Sequence, residues 1–167
     1  MFLDESGCNT DMTRRYAYSL GGSRAVDSAP LSKPKNTTIL SSIQLDGTLH
    51  YTTFSGGTTV EKFKRYLETD LLPHLNVDSI LIMDNMKSHH AKAVKNLLDS
   101  FSVRYIYLPP YSPDLNSIEK LWSKVKSFLR KFKARTLDAL PNAIQCAFQT
   151  VSPSDCSGWF KSCDYLH

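Results

Sequence analysis

Residues 79–84 read SILIMD, four consecutive apolar side chains closed by an acid. A strand with one wet face would interleave polar residues, so this run describes a strand buried on both sides. Burial on both faces requires covering helices, and the flanking segments supply them. From Thr59 to Leu72, apolar residues at Val60, Phe63, Leu67 and Leu71 fit an amphipathic helix ended by Pro73. Ala91–Phe101 repeats the pattern with Val94, Leu97, Leu98 and Phe101, and VRYIYL (103–108) supplies the next strand. Strands joined through helices in this way run parallel, with helices on both faces of the sheet.

The first third of the chain reads differently. MFLD is a short buried strand ending at Asp4, and residues 5–36, rich in Gly, Ser, Arg and Pro, read as an irregular or hairpin excursion. TTILSSIQL (37–45) is strand-like, Asp46-Gly47 is a strong hairpin signal, and LHYTTF is the return strand. Past the last strand come a helix over Ile118–Phe132 with Ile118, Trp122, Val125, Leu129 and Phe132 on one face, a helix over Thr136–Thr150, and a short helix around Pro153–Cys163. The fold class that results is α/β, a mixed five-stranded sheet with helices on both faces, in one domain over residues 1–167.

Charge is distributed unevenly. The formal net charge is +4, from 20 basic and 16 acidic residues, and seven of the basic ones lie between Lys120 and Arg135, where no acid occurs. The excess is local, which suits a polyanion-binding face better than a generally basic protein. Cys8, Cys146, Cys156 and Cys163 form no CxxC pair and no zinc spacing, so reduced thiols in a cytosolic compartment are expected. No apolar run approaches the roughly 20 residues of a membrane span, and no signal peptide is evident.

Three acids stand where the predicted elements end or begin. Asp4 and Asp84 terminate strands and Glu119 opens a helix just after the last strand; in an open α/β sheet, sites assemble at the carboxyl ends of adjacent strands. Clustered carboxylates repel unless they share cations, and Mg²⁺ needs only one or two of them plus waters and phosphate oxygens. Taken singly, each acid also has an ordinary structural reading. Asp4 ends a strand, Asp84 with Asn85 forms a turn, and Glu119 sits three residues after Asn116 in a capping-box arrangement. Their joint occurrence favours catalysis. For His89 and His90 no third zinc ligand has recognisable spacing, so contact with backbone or DNA near Asp84 is expected. Trp122, Phe128 and Phe132 read as core rather than base-stacking residues.

FLDES at the start, ILIMDNMKSHHA in the middle and LPPYSPDLNSIEKLWSKVK near the end resemble the catalytic domain of the DDE transposases of the mariner superfamily, in particular its bacterial insertion-sequence branch. The 34 residues between Asp84 and Glu119 match the branch with glutamate as third acid. The resemblance implies an RNase H-like fold in which Asp4, Asp84 and Glu119 bind two Mg²⁺ or Mn²⁺ ions. It also implies DNA cleavage at transposon ends and strand transfer by a homodimer. Two departures stand out: His90 where relatives often have Lys, and Ser117 where Pro is common. Relatives carry an upstream helix-turn-helix, expected here from a split or frameshifted reading frame unless the chain is a relic or fragment. A cytoplasmic, nucleoid-associated bacterial location follows.

The expected DNA contacts are Arg14, Arg15, Lys33, Lys35, Lys87, His89, His90, Lys120, Lys124, Lys126 and Arg130. Two rival readings remain: a catalytically silent relic or DNA-binding regulator, and another RNase H-like nuclease such as a ribonuclease or junction resolvase.

Overall fold

The computed structural model describes residues 1–14, 16–28, 35–76 and 78–166. Five strands form one sheet: β1 (Phe2–Cys8), β2 (Thr37–Ile43), β3 (Leu49–Ser55), β4 (Ile80–Met83) and β5 (Arg104–Tyr107), in the order β3-β2-β1-β4-β5. The first three strands pair antiparallel, whereas β1 with β4 and β4 with β5 pair parallel. β1 is therefore the junction between the two halves, flanked by one neighbour of each sense. It also runs farther than expected: its pairing with β2 extends from Phe2↔Ile43 to Cys8↔Thr37, so Asp4 lies inside the strand and does not end it.

The hairpin between β2 and β3 turns at Asp46-Gly47, as the dipeptide predicts. Gly47 has φ 92°, and a Cβ there would lie 2.8 Å from the Pro153 Cα. Left-handed backbone and close approach together demand glycine.

Alternation along the strands divides the core in two. On one face Phe2, Ile39 and Ile43 pack with α3 (Ile118–Phe132), α4 (Ala139–Gln149) and α5 (Pro153–Lys161). On the other, Leu3, Leu40, Leu81 and Met83 pack with α1 (Val60–Tyr66) and α2 (Lys92–Ser100). The SILIMD run thus serves both faces, with Ile82 against the first core and Leu81 and Met83 within the second. The helix expected over 59–72 changes pitch partway: α1 gives way to a π-helical turn at Leu67–Leu71 and a 3₁₀ turn at Leu72–His74. Pro73 has no N–H and its ring crowds the carbonyl four residues back, which favours a widened turn before it.

α3 deserves its predicted bounds, but Phe132 is 45% exposed and stacks on Phe128 at 5.8 Å. Leu129 in the same turn is buried in the core, so Phe132 lies on the outer side of the helix, which corrects the expectation that it is core. α5 starts with a capping box: the Ser152 hydroxyl accepts from the Asp155 N–H, and the Asp155 carboxylate accepts from the Ser152 N–H. No disulfide joins the cysteines; all four are free. No helix among the described residues is long and apolar enough to cross a membrane.

Candidate active site

Parallel pairing of β1 and β4 ends at Leu3↔Met83. One residue further on each strand are Asp4 and Asp84, so strand register alone makes the two aspartates neighbours. Asp84 leaves β4 in a tight turn, its Oδ1 accepting from the Met86 N–H at 3.0 Å. Next to it Asn85 bridges the ends of β4 and β5 by donating to the Leu108 carbonyl. His90 hydrogen-bonds Asn85 Oδ1 at 3.0 Å and stacks on Tyr107 at 4.0 Å. That bracket sets the path of the proline-rich segment 109–113, which passes through a 3₁₀ turn at Pro113–Leu115 into α3. The result is a cleft of about 450 Å³ lined by Asp84, Asn85, Leu108, Pro110, Asn116 and Glu119, among others.

Asp4 stands behind this cleft and is only 6% exposed. Its Oδ1 accepts from the Glu5 N–H at 2.7 Å. Its Oδ2 accepts from Asn116 Nδ2 at 3.2 Å and from the Trp122 indole N–H at 3.3 Å. Burial, then the charge of Asp84, push its pKa up to about 7; Glu5 and Glu119 add to the rise and the Glu5 amide opposes it.

Asp84 moves the other way. Burial would raise its pKa, but hydrogen bonds from His89 and the Met86 amide hold it below the usual carboxylate range. His89 has Nδ1 at 2.8 Å from Asp84 Oδ1 and Nε2 at 3.1 Å from Glu5 Oε2. Burial disfavours its charge, yet the two carboxylates prevail and lift its pKa to about 9.

These contacts correct several expectations. Of the two contacts expected for His89, backbone or DNA, the structure shows the backbone one, with Nδ1 3.4 Å from the Asp84 carbonyl; the residue is fully buried and both ring nitrogens are engaged by acids inside the fold. Glu119 makes no capping box, since the Asn116 side chain is turned to Asp4 and Ser117, which precedes α3, forms no side-chain cap. Lys124 is paired with Asp155 at 2.6 Å and anchors α5, so its charge is already answered. Trp122 is core, as expected, but its indole N–H also serves Asp4. That role was foreshadowed by its position three residues after Glu119, on the same side of the helix.

The remaining cations surround α3 on two flanks. Lys126 and Arg130 line a recess with Cys8 and Met12 at the far end of β1, and Lys120, Lys124 and Lys131 line another against Trp159. Arg14 meets Arg130 and Lys131 beside Tyr16. Arg14, Lys35, Lys87 and Lys120 are exposed, whereas His90, Lys126 and Arg130 are half-buried. Arg15 and Lys33 lie outside the described residues.

Among the described residues no three His, Cys, Asp or Glu side chains converge into a ready-made metal cage. The donors fit a hard cation nonetheless. Asp84 and Glu119 line the same cleft, and the pKa of Asp4 is raised by burial first and then by the charge of Asp84. Mg²⁺ and Mn²⁺ accept one or two carboxylates and complete their shells with water and phosphate oxygens.

An RNase H-like α/β domain with two aspartates where its central parallel pairing stops, and a glutamate on the helix beside them, is the class that fold and site define. The chain belongs to the DDE superfamily endonucleases, whose family model matches residues 1–141. Among solved structures it is similar to the Mos1 transposase paired-end complex with left transposon end, at 18% identity and TM-score 0.80 over 96% of this chain and 50% of that one. It is similar also to the Mos1 mariner paired end complex with Mn, at 20% identity and TM-score 0.80 over 98% and 52%. The catalytic domain of Mos1 mariner transposase alone aligns at 15% identity and TM-score 0.67 over 98% and 77%. The chain spans about half the length of the Mos1 chains in the paired-end complexes. No curated protein matches it.

Proposed function

We propose that this chain is the catalytic domain of a transposase, cutting DNA at transposon ends and joining the freed 3′-hydroxyl to target DNA. The observation that carries the reading is the approach of Asp4 and Asp84 through the β1–β4 register, with Glu119 facing the same cleft as Asp84. The similar Mos1 structures include paired-end complexes with Mn and with Mg and a strand transfer complex. In this reading Asp4, Asp84 and Glu119 hold two Mg²⁺ or Mn²⁺ ions. Held there, the ions would supply charge neutralisation at the scissile phosphate and a lowered pKa for the attacking water or 3′-hydroxyl.

The protein's own contribution is positional. Trp122 and Asn116 orient Asp4, the Asn85 bracket shapes the cleft wall, and the cations flanking α3 hold the phosphodiester backbone. Glutamate as third acid, with 34 residues between it and Asp84, supports the insertion-sequence branch. A homodimer acting on the bacterial nucleoid goes with that branch.

The test uses duplexes carrying the inverted repeats that flank the coding sequence, with Mn²⁺ or Mg²⁺. Nicking and joining are expected, and Asp84→Asn and Glu119→Gln abolish both while duplex binding persists. Wild-type binding without cleavage indicates a silent regulator instead. Equal cleavage of RNA:DNA hybrids or four-way junctions indicates another RNase H-like nuclease.

A further inference from the structure

Asp4 and Glu5 are consecutive, and strand alternation sends them to opposite faces of β1. Asp4 meets Trp122 of α3, whereas Glu5 points among α1 and α2 and meets His89. A carboxylate at 12% side-chain exposure and an imidazole at zero are costly to bury as a pair. An apolar pair would fill the same space, so the contact calls for a reason beyond stability.

We infer that His89 and Glu5 are positioning residues for Asp84, fixing which of its oxygens faces the cleft. Asp84 Oδ1 is held twice, by the Met86 N–H and by His89 Nδ1. Oδ2 has no hydrogen-bond partner among the described residues, and Asp84 lines the cleft. One oxygen is consumed by the fold and the other is left for a ligand.

His89 is itself immobilised from several sides. Phe63 lies against its ring with centroids 4.3 Å apart, the Tyr107 hydroxyl donates to its carbonyl at 2.9 Å, and its N–H donates to the Met86 carbonyl at 3.0 Å. Glu5 Oε2 holds Nε2 at 3.1 Å, while Glu5 Oε1 is buried without a partner. His89 is thus Glu5's sole side-chain partner among the described residues. A ligand carboxylate held by a second, buried hydrogen-bonding group is the arrangement by which outer residues tune metal sites, typically worth about 10- to 100-fold in affinity.

The inference rests on the proposed reading of Asp84 as a metal ligand, and one titration separates the two. Mn²⁺ binding to this chain, without DNA, is followed by the loss of the free-ion paramagnetic resonance signal. His89→Phe keeps the ring packed on Phe63 and removes both hydrogen bonds; it should weaken Mn²⁺ binding by about 10-fold or more. His89→Asn, whose amide can replace Nδ1 toward Asp84, should restore most of that loss. Glu5→Leu should weaken binding several-fold, because His89 loses its anchor.

Thermal melting and duplex binding are read in parallel. A merely structural histidine would lower the melting temperature and leave Mn²⁺ affinity of the folded variants unchanged, which overturns the inference. If His89→Phe does not fold, Glu5→Leu and His89→Asn decide: wild-type affinity in Glu5→Leu, or loss in His89→Asn equal to that of Asp84→Asn, also overturns it. Asp84→Asn is the control. If it binds Mn²⁺ as wild type does, the metal reading of Asp84 has failed; if it loses binding while the His89 and Glu5 variants keep it, only the positioning role has.

Discussion

Trp122 and Asp4 are 118 positions apart, and the indole N–H of the first donates to the carboxylate of the second at 3.3 Å. The bond joins the helix that carries Glu119 to the strand at the centre of the sheet. Trp122→Phe keeps most of the buried ring and removes the donor, leaving Asp4 Oδ2 to Asn116 alone. The expected cost is about 1–3 kcal/mol, read as a lower melting temperature, together with slower metal-dependent cleavage. Unchanged melting and unchanged cleavage would show that the contact is incidental.

The raised pKa of Asp4 makes a statement about pH in protein without metal. Its folded pKa of about 7 exceeds the ordinary 3.8, so the folded state binds the extra proton between those values. Stability therefore falls as pH rises from about 4 to about 7, by up to a few kcal/mol. Melting curves of metal-free protein across that range should show the decline, and Asp4→Asn should flatten it. At pH 8, Mg²⁺ or Mn²⁺ should raise the melting temperature of the wild type and leave Asp4→Asn much less affected.

Midway along α3, Lys124 donates to Asp155 at 2.6 Å, and the same carboxylate caps α5. The Lys124 hydrogen bond, with those of Ser152, holds its pKa down to about 2. A depressed acid contributes stability above its unfolded value, and that contribution is lost as pH falls from about 4 toward 2. Asp155→Ala should cost about 1–2 kcal/mol at neutral pH, within the range of lost helix caps. The same variant should show a shallower acid transition, and denaturant melts at pH 7 and pH 3 measure both effects.

DNA binding should depend on Lys126 and Arg130 more than on Lys124. The first two line a recess without a salt-bridge partner of their own among the described residues, whereas Lys124 is already neutralised by Asp155. Replacing Lys126 and Arg130 together by Gln should reduce the log–log salt slope of duplex binding by about 1.8, taking about 0.9 per phosphate contact. Lys124→Gln should change the slope little and lower the melting temperature instead. Equal slopes for all three proteins would show that phosphate contacts lie elsewhere.

Much of this architecture was legible in the chain. SILIMD announced β4, Asp46-Gly47 the hairpin, and the apolar spacing after Asn116 the whole of α3, because periodicity and turn chemistry act over a few residues. Asp84 and Glu119 were legible for the same reason, standing where those patterns begin and end. Asp4 was misplaced relative to its strand. β1 continues to Cys8 only because β2 is there to pair with it, while its parallel partner β4 stops at Met83, and no local signal distinguishes the two neighbours.

Side-chain partners were the least legible. His89 read as a contact to backbone or DNA near Asp84, with nothing to point to Glu5; the turn carries it under Phe63 toward that residue, 84 positions earlier. Lys124 read as one cation of a solvent-facing stripe, until α5 returned to set Asp155 against it. By itself the sequence determined most of the elements and their order, since hydrophobic period and backbone preference are set by near neighbours. Tertiary structure alone decided which acids are buried, which oxygen of Asp84 is occupied and which lysines remain free, because a hydrogen bond or ion pair depends on distance through space, and the chain brings those partners together only when the sheet has closed.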